Sequence, residues 1–347
     1  MRHLRHPTHT GTRTHGLAFH VLIVVCLAFS LAANKIRADE ERPEPRIGAS
    51  FDTSDVDKVR WLKHFQASLE SYGATCMALS ADGDADIQQQ QCDYLLRQHI
   101  DALGIMPVHA HLLTSQVQRA HSLGIPVLAM GEMISNCELD LFVGFDWVGG
   151  GQMQIDALVS ESKGAYYLLG HRTVDDHLHQ LLQGRVSALK IYVERGVELL
   201  GADELAVPMP NIASKATSKV IARQGPMNVV LTTHPALSVG AIQALTLIGS
   251  EDETLVSGLD PDLDACRRIL GGQQHSSLYF SRADAGKKSA EVIYQLATRQ
   301  PIQISTTKHN GLIEVPALLV APKLLTKENL IDVLTNDEIF TRAQLHP

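Results

Sequence analysis

Aromatic residues are scarce in this 347-residue sequence, at 5% of the total. Positive charge is scarce as well, because the formal net charge is −8 and the part expected to fold contains no basic cluster. Domains that bind nucleic acid normally carry a basic patch or stripe, so we expect no nucleic-acid partner. The 45% apolar content is still enough to bury one large core or two smaller ones, and the length favours two lobes.

The sequence also lacks the motifs of common catalytic and metal sites. Its five cysteines include no CxxC or zinc-ligand spacing. The run Gly149-Gly150-Gly151 lacks the GxGxxG spacing of a dinucleotide loop, and no serine lies in a nucleophile elbow. We therefore expect no catalytic residues, no cofactor and no metal.

Four cysteines lie in the part of the chain that is expected to fold: Cys76, Cys92, Cys137 and Cys266. A disulfide between Cys76 and Cys92 is one expectation for an exported protein. Buried free thiols are the other, because free cysteine is among the residue types most often buried. The sequence leaves both open.

Residues 1–38 have the pattern of a cleaved secretory signal. Residues 1–16 contain three arginines and no acid, residues 17–33 form an apolar run, and Ala38 offers a cleavage point. A retained membrane anchor is the alternative, because the apolar run is near the lower length limit for spanning a bilayer. The pattern favours export with cleavage.

Beyond this segment, short apolar strands alternate with amphipathic helices that end at glycine. The strand predicted at 47–51 is followed by a helix over 56–72 that ends at Gly73, and the alternation continues along the chain. This order predicts an α/β protein made of two doubly wound parallel-sheet lobes.

The lobes are expected to be joined by a three-segment hinge. A strand over 141–143 stops at Asp146, just before a glycine-flanked helix start, which is where open α/β sheets place a ligand. Further crossings are expected near Phe280 and after Pro301. The predicted first lobe is therefore 46–146 plus 281–301, and the predicted second lobe is 147–280 plus 302–345.

Several motifs resemble the periplasmic sugar-binding proteins of ABC importers, a family of type I periplasmic binding proteins, and in particular its D-xylose-binding members. They are FVGFD, QIDALV, TTHPALSVGAIQAL, SGLDPDLDACRRILGG, LYFSRADAGKKSAEVIYQLA and HNGLIEVPALLVAPKLLTKENL. They occur in one colinear register over about 46–345. The resemblance implies a monomeric periplasmic protein that closes around one small-molecule sugar and presents the closed form to a membrane permease.

Four residues match the family's cleft residues: Arg60, Trp61, Asp146 and Asp260. On this resemblance, Arg60 and Asp260 are expected to hydrogen-bond sugar hydroxyls, and Asp146 to accept from the ligand at the hinge. Trp61 is expected to stack on the sugar together with Trp147 or Phe280.

Other positions depart from the xylose pattern. Gly131-Glu132 replaces an Asp-Arg pair, Trp147 an asparagine, His234-Pro235 an Asn-Asp pair, Leu259 a glutamine and Phe280 a lysine. These changes make the expected cleft more acidic and more apolar. Each buried sugar hydroxyl left unpaired costs about 1–3 kcal/mol, so the specificity is expected to be altered. Glu132, Trp147, His234 and Phe280 complete the predicted ligand-binding set.

Two histidine groups follow predicted strands: His109 with His111, and His171, His177 and His179 beside Asp175 and Asp176. They are interpreted either as ligands for a metal or cation in the cleft or as surface side chains, and their spacing favours the surface. Two other functions stay open. One is a sensor that docks on a membrane kinase or chemoreceptor, and the other is a degenerate binding protein with a non-sugar ligand.

Overall fold

The computed structural model describes residues 44–173 and 176–345. The predicted signal segment 1–38 lies outside this part, as does Asp175. The described residues from Pro45 onward form one compact unit, whose strands build a seven-stranded and a six-stranded sheet.

The strands are, in chain order, β1 (Arg46–Phe51), β2 (Thr75–Ser80), β3 (Ala102–Met106), β4 (Val127–Met130), β5 (Leu141–Phe145), β6 (Gly164–His171), β7 (Val197–Leu205), β8 (Val229–Thr232), β9 (Leu255–Leu259), β10 (Ser276–Tyr279), β11 (Thr306–His309), β12 (Glu314–Val320) and β13 (Lys323–Leu325).

The helices of the described residues are α1 (Val56–Ser71), α2 (Ala85–Leu95), α3 (Thr114–Ser122), α4 (Trp147–Glu161), α5 (Asp176–Tyr192), α6 (Pro210–Gln224), α7 (Pro235–Thr246), α8 (Leu263–Leu270), α9 (Arg282–Ala297), α10 (Leu330–Asn336) and α11 (Arg342–Leu345), with a 3-10 turn at Val193–Arg195.

The first sheet has the order β11-β12-β5-β4-β3-β1-β2, and the second has the order β13-β10-β9-β8-β6-β7. Neighbouring strands are parallel except at one edge of each sheet, where β11 is antiparallel to β12 and β13 to β10. We call each sheet with its flanking helices a lobe. The predicted fold class, two doubly wound α/β lobes, is confirmed.

The core of the first lobe follows the period-two alternation of its strands. On β3, Leu103 and Ile105 pack with α2 and α3, whereas Ala102 and Met106 pack with α1 and α9. Side chains on a strand alternate between its two faces, so both faces of the sheet are covered by helices.

The chain passes between the lobes at three places. It leaves the first sheet after β5, at Asp146, and returns after β10, because α9 packs against α1 and the first sheet. The third passage lies at 321–322, between β12 of the first sheet and β13 of the second.

This third passage differs from the predicted one after Pro301. The sequence assigned 302–345 to the second lobe, but β12 pairs in parallel with β5, with Ala317 opposite Phe142. Val315 and Ala317 are buried in the core of the first sheet, and this burial explains why 306–320 belong to the first lobe.

Candidate ligand-binding site

A cavity of about 430 Å³ lies where strands of both sheets end. Its walls come from the segments that follow β1, β3, β4 and β5 in the first lobe, from the segments that follow β6 and β9 in the second, and from the start of α9. Ligands of open α/β sheets bind beyond the carboxyl ends of the strands, so the cavity has the expected position. Its volume falls in the range of small-molecule sites.

Four of the predicted site residues line this cavity: Trp61, Glu132, Trp147 and Asp260. Trp61 lies on α1, Glu132 follows β4, Trp147 begins α4, and Asp260 follows β9. The fold thus brings together two indole rings and two carboxylates from both lobes.

Arg60 and Asp146 do not line the cavity. Nη1 of Arg60 donates to Oδ1 of Asp57 at 2.9 Å on the same helix. Oδ1 of Asp146 accepts from the backbone N–H of Gly149 at 2.8 Å and so caps α4. Each polar group is already used by the helix that carries it, which the sequence could not show.

His234 and Phe280 also lie outside the cavity lining. Nδ1 of His234 accepts from the backbone N–H of Ala236 at 3.1 Å and caps α7. Phe280 is fully buried, and its ring centroid lies 3.9 Å from that of Trp147. Phe280 therefore supports the cavity wall from behind.

Aromatic rings run across the hinge from one lobe to the other. Trp61 contacts Phe145 edge-on at 5.4 Å between centroids, and Phe145 contacts Phe280 at 5.3 Å. Trp147 packs on Phe280, and the His177 imidazole lies over Trp147 at 5.0 Å and 20°. Trp61, Phe145 and Trp147 give the cavity an apolar wall of the kind that sugar C–H groups contact.

Arg282, which is not among the residues predicted from the sequence, places a cation in the cavity. Its Nη2 atom lies 3.2 Å from Oδ2 of Asp260 and 3.2 Å from Oδ2 of Asp57. Its guanidinium also lies 5.1 Å from the centre of the Phe145 ring. Burial disfavours the charged form, but the two carboxylates outweigh that effect and raise the pKa of Arg282.

Lys58 is the second cation of the lining, and it too is paired. Its ammonium contacts Asp52 and lies 3.4 Å from Oδ2 of Asp55. Burial opposes the charge on Lys58, but these carboxylates prevail and raise its pKa. Burial likewise opposes the charge on Asp52, and hydrogen bonds from Lys58 and Ser54 lower its pKa overall.

Acidic side chains outnumber basic ones around the cavity. Among the described residues, the lining contains four carboxylates, from Asp55, Asp57, Glu132 and Asp260, against the two cations of Lys58 and Arg282. The surplus is two negative charges with the histidines neutral. Nε2 of His177 lies 3.8 Å from Oε1 of Glu132, and the two side chains form an ion pair only when the imidazole is protonated.

The histidine groups divide between surface and cavity. His109, His111 and His179 are exposed, whereas His171 and His177 line the cavity. Nδ1 of His171 lies 3.1 Å from the Thr233 hydroxyl. Within the described ranges, no three histidine, cysteine, aspartate or glutamate side chains are gathered around a possible metal position.

The four described cysteines are free thiols. Burial raises the pKa of Cys76, Cys92 and Cys266 to about 12 and that of Cys137 to about 11. Among the described helices, none is long and apolar enough to cross a membrane.

Comparisons with known proteins agree with this architecture. A family model for the periplasmic binding protein domain matches residues 52–301. The D-xylose-binding periplasmic protein of Escherichia coli (strain K12) is 30% identical over 329 residues, which cover 93% of this chain and 98% of that protein.

More distant matches extend the same pattern. The multiple sugar-binding periplasmic receptor ChvE of Rhizobium radiobacter is 25% identical, over 76% of this chain and 82% of that protein. A solved ABC-transporter solute-binding protein from Clostridium phytofermentans with bound β-D-glucose has a TM-score of 0.62 and 20% identity. That match covers 86% of this chain and 99% of the other, and at this identity it supports the fold alone.

Proposed function

The chain belongs to the periplasmic binding protein family, and from that premise we propose that it is the exported sugar-binding component of an ABC importer. Proteins of this family bind ligands and are not enzymes. The observation that carries the proposal is the cavity between the strand ends of both lobes, with indole rings and charged side chains facing it.

The lining has the two kinds of surface that a monosaccharide needs. Trp61 and Phe145 offer apolar ring surface to the C–H groups of a sugar. Asp260 and Arg282 can each contact two hydroxyls, because a carboxylate has two acceptor oxygens and a guanidinium is a planar fork of donors. A sugar held in this way touches both lobes.

A ligand that contacts both lobes favours the closed arrangement over the open one, because some of its contacts exist only on closure. We infer hinge closure about the passages at Asp146, at Phe280 and at 321–322. A monomer in the periplasm, freed of residues 1–38, would present this closed form to a membrane permease.

The proposed specificity differs from that of the D-xylose-binding relative. Leu259 lines the cavity at a position where the xylose-binding pattern has glutamine. Glu132 lines it at a position where that pattern has arginine. An unpaired sugar hydroxyl costs about 1–3 kcal/mol, so losing several partners would greatly weaken xylose binding. The ligand is therefore a relative of xylose with different polar groups.

Thermal unfolding of the purified protein in the presence of pentoses, hexoses and polyols tests the proposal. A ligand at 100 times its dissociation constant adds about 2.7 kcal/mol of stability, so a true ligand raises the melting temperature clearly. Asp260→Asn should weaken binding of that ligand, and Asp264→Asn, on an exposed side chain outside the cavity, should leave it unchanged. Equal affinities of the two variants would contradict the proposed site.

A further inference from the structure

We propose that the ligand of this cavity carries a protonated amino group on a sugar or cyclic polyol ring, and that Glu132 holds this ammonium beside Trp147. The inference rests on the proposed sugar-binding function and names the chemical class of the ligand. It follows from the charge of the cavity lining and from the position of His177, whose side chain lies between Glu132 and Trp147.

The charge of the lining favours a cation. Arg282 is paired with Asp57 and Asp260, Arg60 also pairs with Asp57 from outside the lining, and Lys58 is paired with Asp52 and Asp55. These pairs use both cations of the described lining, and Glu132 lies beside His177, which is charged only when it is protonated. A neutral sugar would leave the acidic surplus uncompensated, whereas one ammonium group would reduce it.

His177 indicates where the ammonium would bind. Its imidazole lies nearly parallel to the Trp147 ring, and its Nε2 faces Oε1 of Glu132 at 3.8 Å. A flat ring with a nitrogen atom already fits between an indole face and a carboxylate. A sugar ring bearing an amine presents the same two features, an apolar face for Trp147 and an N–H donor for Glu132.

The proposed ammonium site, between Glu132 and Trp147, is formed by residues of both lobes. Glu132 follows β4 of the first lobe, whereas Trp147 and His177 belong to α4 and α5 of the second. An ammonium bound here would be attracted to the carboxylate from one lobe and to the indole ring from the other. It would add to the contacts that favour closure.

Calorimetric titration of the purified protein with matched sugar pairs tests the inference. D-glucosamine is compared with D-glucose and with neutral N-acetyl-D-glucosamine, and D-galactosamine with its corresponding neutral sugars, at a pH where the amines are protonated. At least one amino sugar should bind about tenfold or more tightly than its neutral parent, since hydrogen bonds between charged groups are stronger than neutral ones.

Substitutions at Glu132 and His177 test whether these residues cause the preference for the amino sugar. Glu132→Gln keeps the shape of a half-exposed side chain but removes its charge, so it should abolish the preference for the amine over its neutral parent. Glu253→Gln, on an exposed residue outside the lining, should keep the preference. His177→Ala should tighten amine binding several-fold, because it removes the ring that occupies the same place.

Each contrary result has a distinct meaning. Neutral sugars that bind as well as their amines would overturn the inference and leave the sugar-binding function standing. A preference that survives Glu132→Gln, or amine binding weakened by His177→Ala, would overturn the assignment. Binding of neither class would overturn the proposed function together with this inference.

Discussion

Nη2 of Arg282 lies 3.2 Å from Oδ2 of Asp260, and this pair joins the first turn of α9 to the residue after β9. Since α9 packs on the first lobe and β9 belongs to the second, the pair links the lobes at the ligand cavity. The same nitrogen also contacts Asp57 of α1. The guanidinium of Arg282 thus connects Asp57 of the first lobe with Asp260 of the second at the ligand cavity.

We expect Arg282→Met to lower the free energy of unfolding by about 1–2 kcal/mol, because it leaves Asp260 without its cation. Breaking a fully buried pair costs about 3–5 kcal/mol, but the Asp260 side chain is 35% exposed and water screens part of the charge. Urea unfolding of Arg282→Met, Asp260→Asn and the double variant measures the coupling. Asparagine suits this position because the backbone φ of Asp260 is +39°.

Arg267→Met is the matched control for that cycle. Arg267 pairs with Asp264 at 3.6 Å between two exposed side chains, so its loss should change stability by no more than about 0.5 kcal/mol. If the losses in free energy of unfolding of Arg282→Met and Asp260→Asn add up to that of the double variant, the ion pair contributes nothing to stability.

A second prediction concerns Asp146, which caps α4 and does not line the cavity. Asp146→Ala should lower the free energy of unfolding by about 1 kcal/mol, because the N–H of Gly149 loses its acceptor. Asp146→Asn keeps a capping oxygen and should cost only a fraction of that. Sugar affinity, measured by calorimetry, should be unchanged in Asp146→Asn. A tenfold loss of affinity would instead show that Asp146 contacts the ligand, as the sequence predicted.

The sequence predicted those elements whose apolar residues are large and regularly spaced. The strand expected at 47–51 is β1, and the helix expected over 56–72 is α1. It missed β7, because this edge strand is mostly exposed and its residues VELLGADEL do not alternate. It also missed α6, whose buried face consists of Ala213, Thr217 and Val220. Small and polar residues on a buried face hide the helical period.

The site was predictable only in part for a related reason. The resemblance to sugar-binding proteins indicated the cleft positions, and four of the residues predicted in this way, Trp61, Glu132, Trp147 and Asp260, line the cavity. It could not reveal which polar groups are already used by capping. Arg282 was missed although it lies two residues after Phe280, where the family has a lysine, because only the geometry of the hinge brings its guanidinium back into the cavity.

A third prediction concerns the close contact between α4 and α5. A Cβ atom at Gly184 would overlap the carbonyl oxygen of Val148, so Gly184→Ala must push the two helices apart. We expect a loss of about 1–3 kcal/mol in the free energy of unfolding. Because Val148 follows Trp147, sugar binding should weaken as well.

Gly201→Ala is the control for this substitution, since no heavy atom lies within 4 Å of a Cβ at Gly201. Its free energy of unfolding should stay within about 0.5 kcal/mol of the parent, as for most surface substitutions. Equal effects at the two glycines would show that loss of backbone flexibility, and not the helix contact, decides the result.

The last prediction concerns the four described thiols. Burial raises their pKa values to about 11 or 12, so at pH 8 about 0.1% or less of each is the reactive thiolate. Ellman's reagent should therefore react very slowly with the native protein, and faster as the pH rises toward these values. Although the pKa of Cys137 is lower than that of Cys76, Cys76 should react first, because the reagent must reach the sulfur and Cys76 is half-buried while Cys92, Cys137 and Cys266 are buried.

Counting thiols after unfolding separates the remaining possibilities. Four reactive thiols in denaturant would match the free cysteines of the structure together with removal of residues 1–38, since Cys26 lies in that segment. Five would mean that the segment is retained. Two would point to the alternative disulfide between Cys76 and Cys92. Because Cys76 is on β2 and Cys92 is on α2, this bond would also tie that helix to the edge strand of the first sheet.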